Sequence, residues 1–317
     1  MAIWTVYPPG SIQNAVNKAA PGDVILVHNG EYNEQVTVDK DHLRIIAVGD
    51  RVVLDGEFNL DFAFDLTADG VEIRGFKIKK YNIFGILTQS NFNRIIGNEI
   101  TEIHGYGISL GSDGNLSYKN DISCTDFSAI VISHSNGNWI VKNKLHNSFQ
   151  GVSVLSRGGG FGPPQNNAII GNFIAKNEQG GISNEAFQNL LVLENQVEEN
   201  GTVGSFHGSD NSVDLCNAYK DNIGTGIDIR ANNVFIGDDS IKRNTDRGIH
   251  VIVVSTFNVI QNNEVEENQN NGIELDSTTT QNTVNNNELE DNHPKNIADF
   301  DTNNIFHNNI EEDESSD

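Results

Sequence analysis

Three titratable residues hold equivalent places in successive repeats of this 317-residue chain: Asp228 in Gly226-Ile227-Asp228, His250 in Gly248-Ile249-His250 and Glu274 in Gly272-Ile273-Glu274. If each segment is a strand, the residue after Gly points inward and the next points outward. Stacked strands would then place the three side chains about 4.8 Å apart. Arg230, Ile252 and Asp276 follow two positions later, and Asp246-Arg247 precede His250. A His between two carboxylates has its charged form favoured, and a carboxylate beside Arg230 stays ionised. Groups with separated pKa values suit acid/base chemistry on a sugar acid. A lyase or epimerase acting on a uronate removes the proton beside the carboxylate. It needs a base, a proton donor and a cation to neutralise that carboxylate. Asp228 or His250 fits the base and Arg230 the neutraliser, with Glu274 the fourth member of the candidate catalytic set.

The same outward series runs Leu87, Ser109, Val131, Ser153, Ser183, an irregular coil near Phe206-His207, then Asp228, His250, Glu274 and Ala298. Ser153, Ser183, His207, Arg247 and Asp276 are the candidate substrate-binding positions along it. The segment Ser156-Arg157-Gly158-Gly159-Gly160-Phe161-Gly162-Pro163-Pro164-Gln165 lengthens one repeat and leaves from the face carrying Ser153. Long loops on repeat proteins commonly line the binding face. On it, Phe161 could stack on a sugar ring and Arg157 could meet an acid group.

The elements that must position these residues follow from two markers. Asn recurs at Asn98, Asn120, Asn143, Asn172, Asn195, Asn217, Asn263, Asn287 and Asn309, at steps of 22 to 24 residues apart from one of 29 and one of 46. The step of 46 is two intervals, with Asp238 or Asp239 in the missing place. Gly followed by a β-branched residue keeps the same step at Gly85-Ile86, Gly107-Ile108, Gly151-Val152, Gly181-Ile182, Gly226-Ile227, Gly248-Ile249 and Gly272-Ile273. Two markers with one period describe one structural unit repeated. The units alternate with period two and lack the long amphipathic stretches of helical solenoids and the Leu pattern of leucine-rich repeats. They predict a coil of three short strands per repeat, stacked ten to twelve times. An inward Asn at each bend would hydrogen-bond its counterparts above and below, and would itself adopt the left-handed backbone of the bend. The Gly before each Ile would serve a second bend.

The opening adds a cap. Ser11 to Ala20 reads as a short amphipathic helix with Ser11 as N-cap. Pro21-Gly22-Asp23, the apolar Val24-Ile25-Leu26-Val27 and Gly30-Glu31-Tyr32 follow. With these features the chain resembles the right-handed parallel β-helix, pectin-lyase-like family, from about Ile12 to about Asn309. The resemblance implies an all-β solenoid over residues 1–310 with a capping helix at 11–20. It also implies a polysaccharide partner and an extracellular or cell-surface setting. The acidic residues 311–317 are expected to form a disordered tail.

The family's catalytic motifs do not carry over. Asn244-Thr245-Asp246, Asp238-Asp239 and His207-Gly208 resemble polygalacturonase motifs but occur in reversed order, which a stacked solenoid turns into reversed geometry. The characteristic segments of pectate lyases and alginate epimerases are absent. A lyase or epimerase is therefore the expectation if the protein is an enzyme. The alternative is a non-enzymatic structural, adhesin, surface or spore-coat protein.

The net charge of −24 argues against nucleic acid as a partner. No run reaches membrane-spanning length. Met1-Ala2-Ile3-Trp4-Thr5-Val6-Tyr7 does not read as a secretory signal, which leaves a cytoplasmic setting open as well. The exposed edge of a terminal coil would allow homo-oligomers. No dedicated metal motif is present; Ca²⁺ near Asp221, Asp238 and Asp239 is the one cofactor the residues suggest. Cys124 and Cys216 lie about four coils apart, too far for a disulfide, and read as small packing residues.

Overall fold

The structure, a computed structural model, describes residues 1–155, 165–185, 188–301 and 303–312. It is an all-β, right-handed parallel β-solenoid of about 14 turns, more than the ten to twelve expected. Residues 1–152 form one compact unit, and residues 153–155 with 165–312 form a second. Arg157 and Phe161 lie outside the described residues, as do residues 313–317 of the acidic tail. Among the described residues no helix is long and apolar enough to cross a membrane.

In the first unit, Ile3–Val6 pairs with Val24–Tyr32, which pairs in turn with Arg44–Asp55. That long strand then meets two short ones, Glu72–Arg74 and Lys77–Lys79, separated by a bend at Gly75. From there each turn carries three strands. One face stacks Val36–Val38, Phe62–Leu66, Phe84–Thr88, Tyr106–Leu110 and Ser128–Ser133 in parallel. In the second unit the corresponding face stacks Gly180–Asn184, Val203–His207, Thr225–Ile229, Ile249–Val251, Ile273–Leu275 and Ile297–Asp299. Inward residues stack on their own kind: Ile86 on Ile108 on Ile130, and Ile227 on Ile249 on Ile273, all fully buried. Each such side chain contributes roughly 1.5–3 kcal/mol on burial.

The N-terminal helix spans Ile12–Lys18, shorter at its C-terminal end than the sequence suggested. Ser11 caps it by accepting from the Asn14 N–H at 3.1 Å. Glu34, from the chain beyond, accepts from the Ile12 and Gln13 N–H groups at 2.7 and 3.1 Å, which places a carboxylate on the positive end of the helix. Ile12, Ala15 and Val16 are the buried face.

The bends run on three Asn ladders, of which the sequence markers exposed one. In that ladder the N–H and Nδ2 of Asn195 donate to Asn217 Oδ1 at 2.8 and 2.9 Å, while Nδ2 also donates to the Ile169 carbonyl at 2.9 Å. Asn263 does the same toward Asn287 and Ile236. A second ladder runs Asn177, Asn200, Asn222, Asn244, Asn268 and Asn292. A third links Asn93, Asn115 and Asn138 in the first unit, and Asn258, Asn282 and Asn304 in the second.

The backbone at these bends corrects two expectations. The left-handed residue is not the ladder Asn but the one before it: Lys119 (φ 54°), Glu194 (φ 56°), Cys216 (φ 56°) and Asn262 (φ 56°). Types as different as Lys, Glu and Cys occupy that position, and the strain they accept is offset by the bonds the following Asn secures. Cys216 sits there, and Cys124 takes the same backbone before Thr125; both are free and exposed rather than packed inside. The Gly before Ile lies inside a strand at Gly85, Gly107, Gly181 and Gly226, and stands at a bend, as expected, only at Gly248 and Gly272. A Cβ on Gly107 would fall 2.5 Å from the Ala129 carbonyl oxygen, and one on Gly226 would fall 2.7 Å from Gly248 O and 3.0 Å from Asn244 Nδ2. These glycines let neighbouring coils and the second ladder approach closely.

One ladder place is filled by Asp239. It accepts from the Asn217 N–H at 2.6 Å, but it has an oxygen where the asparagines carry their donating nitrogen. Its Oδ2 is buried without a hydrogen-bond partner. Burial, with Asp214 close by, holds its pKa well above the usual carboxylate range. Kept protonated, the carboxyl is uncharged like the amide it replaces, so Asp239 serves as a neutral stand-in for Asn.

Two outcomes follow. Asn195→Ala strands the donors of Asn172 and the Ile169 carbonyl, and should cost about 2–4 kcal/mol in urea unfolding. Asp239 adds stability below its unfolded pKa, near 4, that is lost as pH rises toward the raised folded value, by up to about 1.4 kcal/mol per pH unit. Asp239→Asn should therefore gain on wild type as unfolding is measured at pH 5, 7 and 9; equal losses in both proteins would contradict the assignment.

Candidate functional site

The outward column of the second unit is regular. Ser183 pairs with Phe206, Phe206 with Asp228, Asp228 with His250, His250 with Glu274 and Glu274 with Ala298. The coil that looked irregular follows the common register; its marker was hidden because Ser205 follows Gly204 where other coils have Ile or Val. Ser205 is polar because the interior is polar there. His207 Nε2 lies 3.2 Å from Ser205 Oγ and 2.8 Å from Asp214 Oδ2, which also accepts from Tyr219 Oη at 2.7 Å, while Asn217 Nδ2 donates to Asp214 Oδ1. His207 is thus a correction: it points inward, is 0% exposed and cannot bind substrate. Asn244 and Asp239, from the polygalacturonase-like segments set aside above, are ladder residues.

The structure brings together Asp228, His250, Glu274, Asp276 and Arg247. His250 Nδ1 is 3.6 Å from Asp228 Oδ1, and its Nε2 is 3.2 Å from Asp276 Oδ1 and 3.6 Å from Glu274 Oε1. Arg247 Nε lies 2.8 Å from Glu274 Oε2, and its Nη1 lies 2.9 Å from Asp246 Oδ2. Asn271 Nδ2 donates to Glu274 Oε2 at 2.6 Å. Burial pushes the His250 pKa down, but the Asp228 and Asp276 carboxylates outweigh it and leave it raised, with Arg247 opposing. Burial pushes Glu274 up, and Arg247 and Asn271 outweigh it and hold it low. Glu274 is 6% exposed, more covered than an outward position implies, because Arg247 and Asn271 lie against its carboxylate.

Arg230 is exposed, with its guanidinium 5.6 Å from the centre of the Phe206 ring. That places a cation beside Asp228 without tying it to a carboxylate among the described contacts. Ser183 is half-buried in the same column, whereas Ser153 is only 7% exposed and offers little surface. Phe206 and Asn271 join the site through the tertiary structure. Phe206 had a signal in the sequence, the Gly204 spacing, which the Gly-plus-β-branched marker passed over.

The donor set also bears on metal. His250, Glu274 and Asp276 each offer one ligand atom, all within 4.8 Å of one another. With one imidazole the set suits Zn²⁺ better than Ca²⁺, which takes oxygen ligands. The acidic residues considered for Ca²⁺ do not converge: Asp239 is inside the solenoid, while Asp221 and Asp238 stand at different bends.

Coils of this kind, wound right-handed with three strands per turn, define a parallel β-helix protein. The sequence matches the family described as right handed beta helix region over residues 84–213, 128–256 and 206–311, and the chain belongs to that family. No curated protein matches it. Among solved structures it is similar to PfbA, a surface adhesin of Streptococcus pneumoniae, with TM-score 0.74 and 14% identity over 90% of this chain and 87% of that one. It is similar to the A-module of mannuronan C-5 epimerase AlgE6 from Azotobacter vinelandii, with TM-score 0.70 and 13% identity over 95% and 93%. A mannuronic acid specific family 6 polysaccharide lyase from human gut microbiota gives TM-score 0.64 and 13% identity over 94% and 82%. At these identities the likeness is one of fold.

The electrostatic reading of the site can be checked by NMR. In chelator-treated protein the His250 pKa should move downward in Asp228→Asn and further in Asp228→Asn/Asp276→Asn. An unchanged titration in the double variant would mean that neither carboxylate sets it.

Proposed function

We propose that this protein acts on a uronate-containing polysaccharide along the outward column of the second unit, with His250 as the group that transfers a proton. The observation that carries the reading is the position of His250, half-buried between Asp228 on one side and Glu274 and Asp276 on the other, with exposed Arg230 on the neighbouring ring. Arg230 meets the substrate carboxylate and makes the adjacent C–H more acidic. Asp228, whose side chain stays partly exposed with Oδ1 turned toward His250, takes that proton. In a lyase the released electron pair forms the C=C bond as the glycosidic C–O bond breaks, and His250 gives its proton to the departing oxygen. In an epimerase the proton returns to the same carbon from the opposite face. Glu274 and Asp276 hold the His250 ring and favour its charged form. Solved structures of similar fold that act on mannuronan or mannuronic acid support the substrate class.

A second reading is a non-enzymatic adhesin or surface element. It is favoured by one observation: Arg247 is already ion-paired with Glu274 and Asp246, so part of the cluster is an internal ion-pair network. The fold it shares with a surface adhesin is compatible with this, as is a cell-surface or extracellular setting.

Wild-type protein should release unsaturated uronate ends or invert uronate units when incubated with alginate or polygalacturonate. His250→Ala should lose about 10²–10⁴-fold in turnover with little change in its unfolding midpoint. Repeating the assay with chelator and with added Zn²⁺ or Ca²⁺ separates a metal-assisted site from a metal-free one. No turnover on any glycan, with the fold intact, rejects the catalytic reading in favour of the adhesin.

A further inference from the structure

The first unit carries a second charged array, on a different face. Arg44 pairs in register with Glu72 and Glu72 with Arg94, while Arg74 lies two residues beyond Glu72 on the same strand. The Glu72 side chain is 1% exposed. Its Oε1 lies 3.1 Å from Arg74 and 3.7 Å from Arg44, and its Oε2 lies 2.9 Å from Arg94. All three guanidinium groups remain about half exposed above it. Other paired cations of this unit have acids to match: Lys77 meets Glu99, Lys79 meets Asp55 and Glu31, and Lys144 meets Asp121. Here three cations share one buried carboxylate, among the described residues.

Two further observations say what this surplus could hold. The column that carries Arg44, Glu72 and Arg94 continues through Leu116 to Trp139, whose ring is 49% exposed. Tyr118 lies on the same strand as Leu116, with Lys119 Nζ 5.2 Å from its ring centre. At about 4.8 Å per strand the track from Arg44 to Trp139 is about 19 Å long. The charge of the chain is also uneven. Residues 1–152 carry 12 Lys and Arg against 17 Asp and Glu, whereas residues 153–317 carry 8 against 27. An anionic chain is therefore repelled least by the unit that holds this array.

We infer that Arg44, Arg74, Arg94 and Trp139 form a binding track for an acidic polysaccharide, separate from the His250 column. Glu72 fixes the guanidinium groups on rigid strands and uses only part of each donor fork. The outward N–H groups can pair side-on with carboxylates or sulfates of the glycan. Trp139 offers an apolar face to a sugar ring, as a site for free anions would not need. The ligand class rests on the polysaccharide reading given above, but the track binds and does no chemistry.

The test uses the full chain in the His250→Ala background, so that turnover cannot consume the ligand. Binding is measured by calorimetry with alginate, polygalacturonate, neutral dextran and a single-stranded oligonucleotide. Both polyuronates should bind and dextran should not. Arg74→Gln/Arg94→Gln should weaken polyuronate binding at least tenfold and flatten its salt dependence. Trp139→Ala should weaken it severalfold with the salt dependence kept. Because the Arg variant leaves Glu72 buried and could misfold, Trp139→Ala alone then decides, and wild-type affinity in that variant overturns the track. Absence of polyuronate binding overturns it too, as does an oligonucleotide that binds as tightly and is lost with the same variants. Loss of turnover in His250→Ala with polyuronate binding retained supports both sites. Binding without any turnover in the wild type removes the catalytic proposal and leaves this one standing.

Discussion

The interaction on which the rest of the structure depends is the side-chain amide at each bend. A solenoid coil turns three times per circuit, and every turn leaves backbone groups that the parallel ladders cannot reach. An inward Asn answers this with one side chain, since its oxygen accepts from the neighbouring coil and its nitrogen donates both to the next Asn and to a carbonyl. Left unpaired in the interior, each such group would cost about 1–3 kcal/mol. The bond set also explains the bend residue before it. Lys119, Glu194 and Cys216 accept a left-handed backbone because the following Asn is held from both sides.

Asp239 is informative as an exception. A carboxyl group fits the amide's slot only when it keeps its proton, and burial beside Asp214 drives it that way. The neighbouring coil is polar inside for a related reason. His207 and Tyr219 converge on Asp214, with Ser205 against His207, where other coils place apolar residues. Exchanging stacked Ile for a hydrogen-bonded cluster keeps the coil spacing while changing what the interior can ionise. Because inward positions must resemble their neighbours, chemical variety on the surface is confined to outward columns, where Asp228, His250 and Glu274 could accumulate without disturbing the core.

The two charged arrays are built on the same parallel register but differ in balance. Around His250, acids outnumber cations, and the imidazole is the group made to hold a proton. Around Glu72, cations outnumber the acid, and the guanidinium groups are left with unused donors. Within each unit, successive outward side chains repeat at a spacing of about 4.8 Å.

The period, the parallel stacking and the alignment of Asp228, His250 and Glu274 were legible in the sequence, because stacking forces like residues into like places and leaves a regular trace. Arg247 and Asp276 were legible for the same reason, being fixed offsets from a marked position. The trace failed where a residue type changed but its place did not. Ser205 hid one coil and sent His207 to the wrong face, and the third ladder escaped because Leu190, Ser212 and Val234 interrupt it between its two Asn runs. The tertiary structure alone decided which residue of each bend takes the left-handed backbone and how close the Gly column brings neighbouring coils. It alone brought Arg44, Arg74 and Arg94 onto one buried Glu72. Those outcomes depend on distances between coils and on where each side chain can find a partner, and a one-dimensional period carries neither.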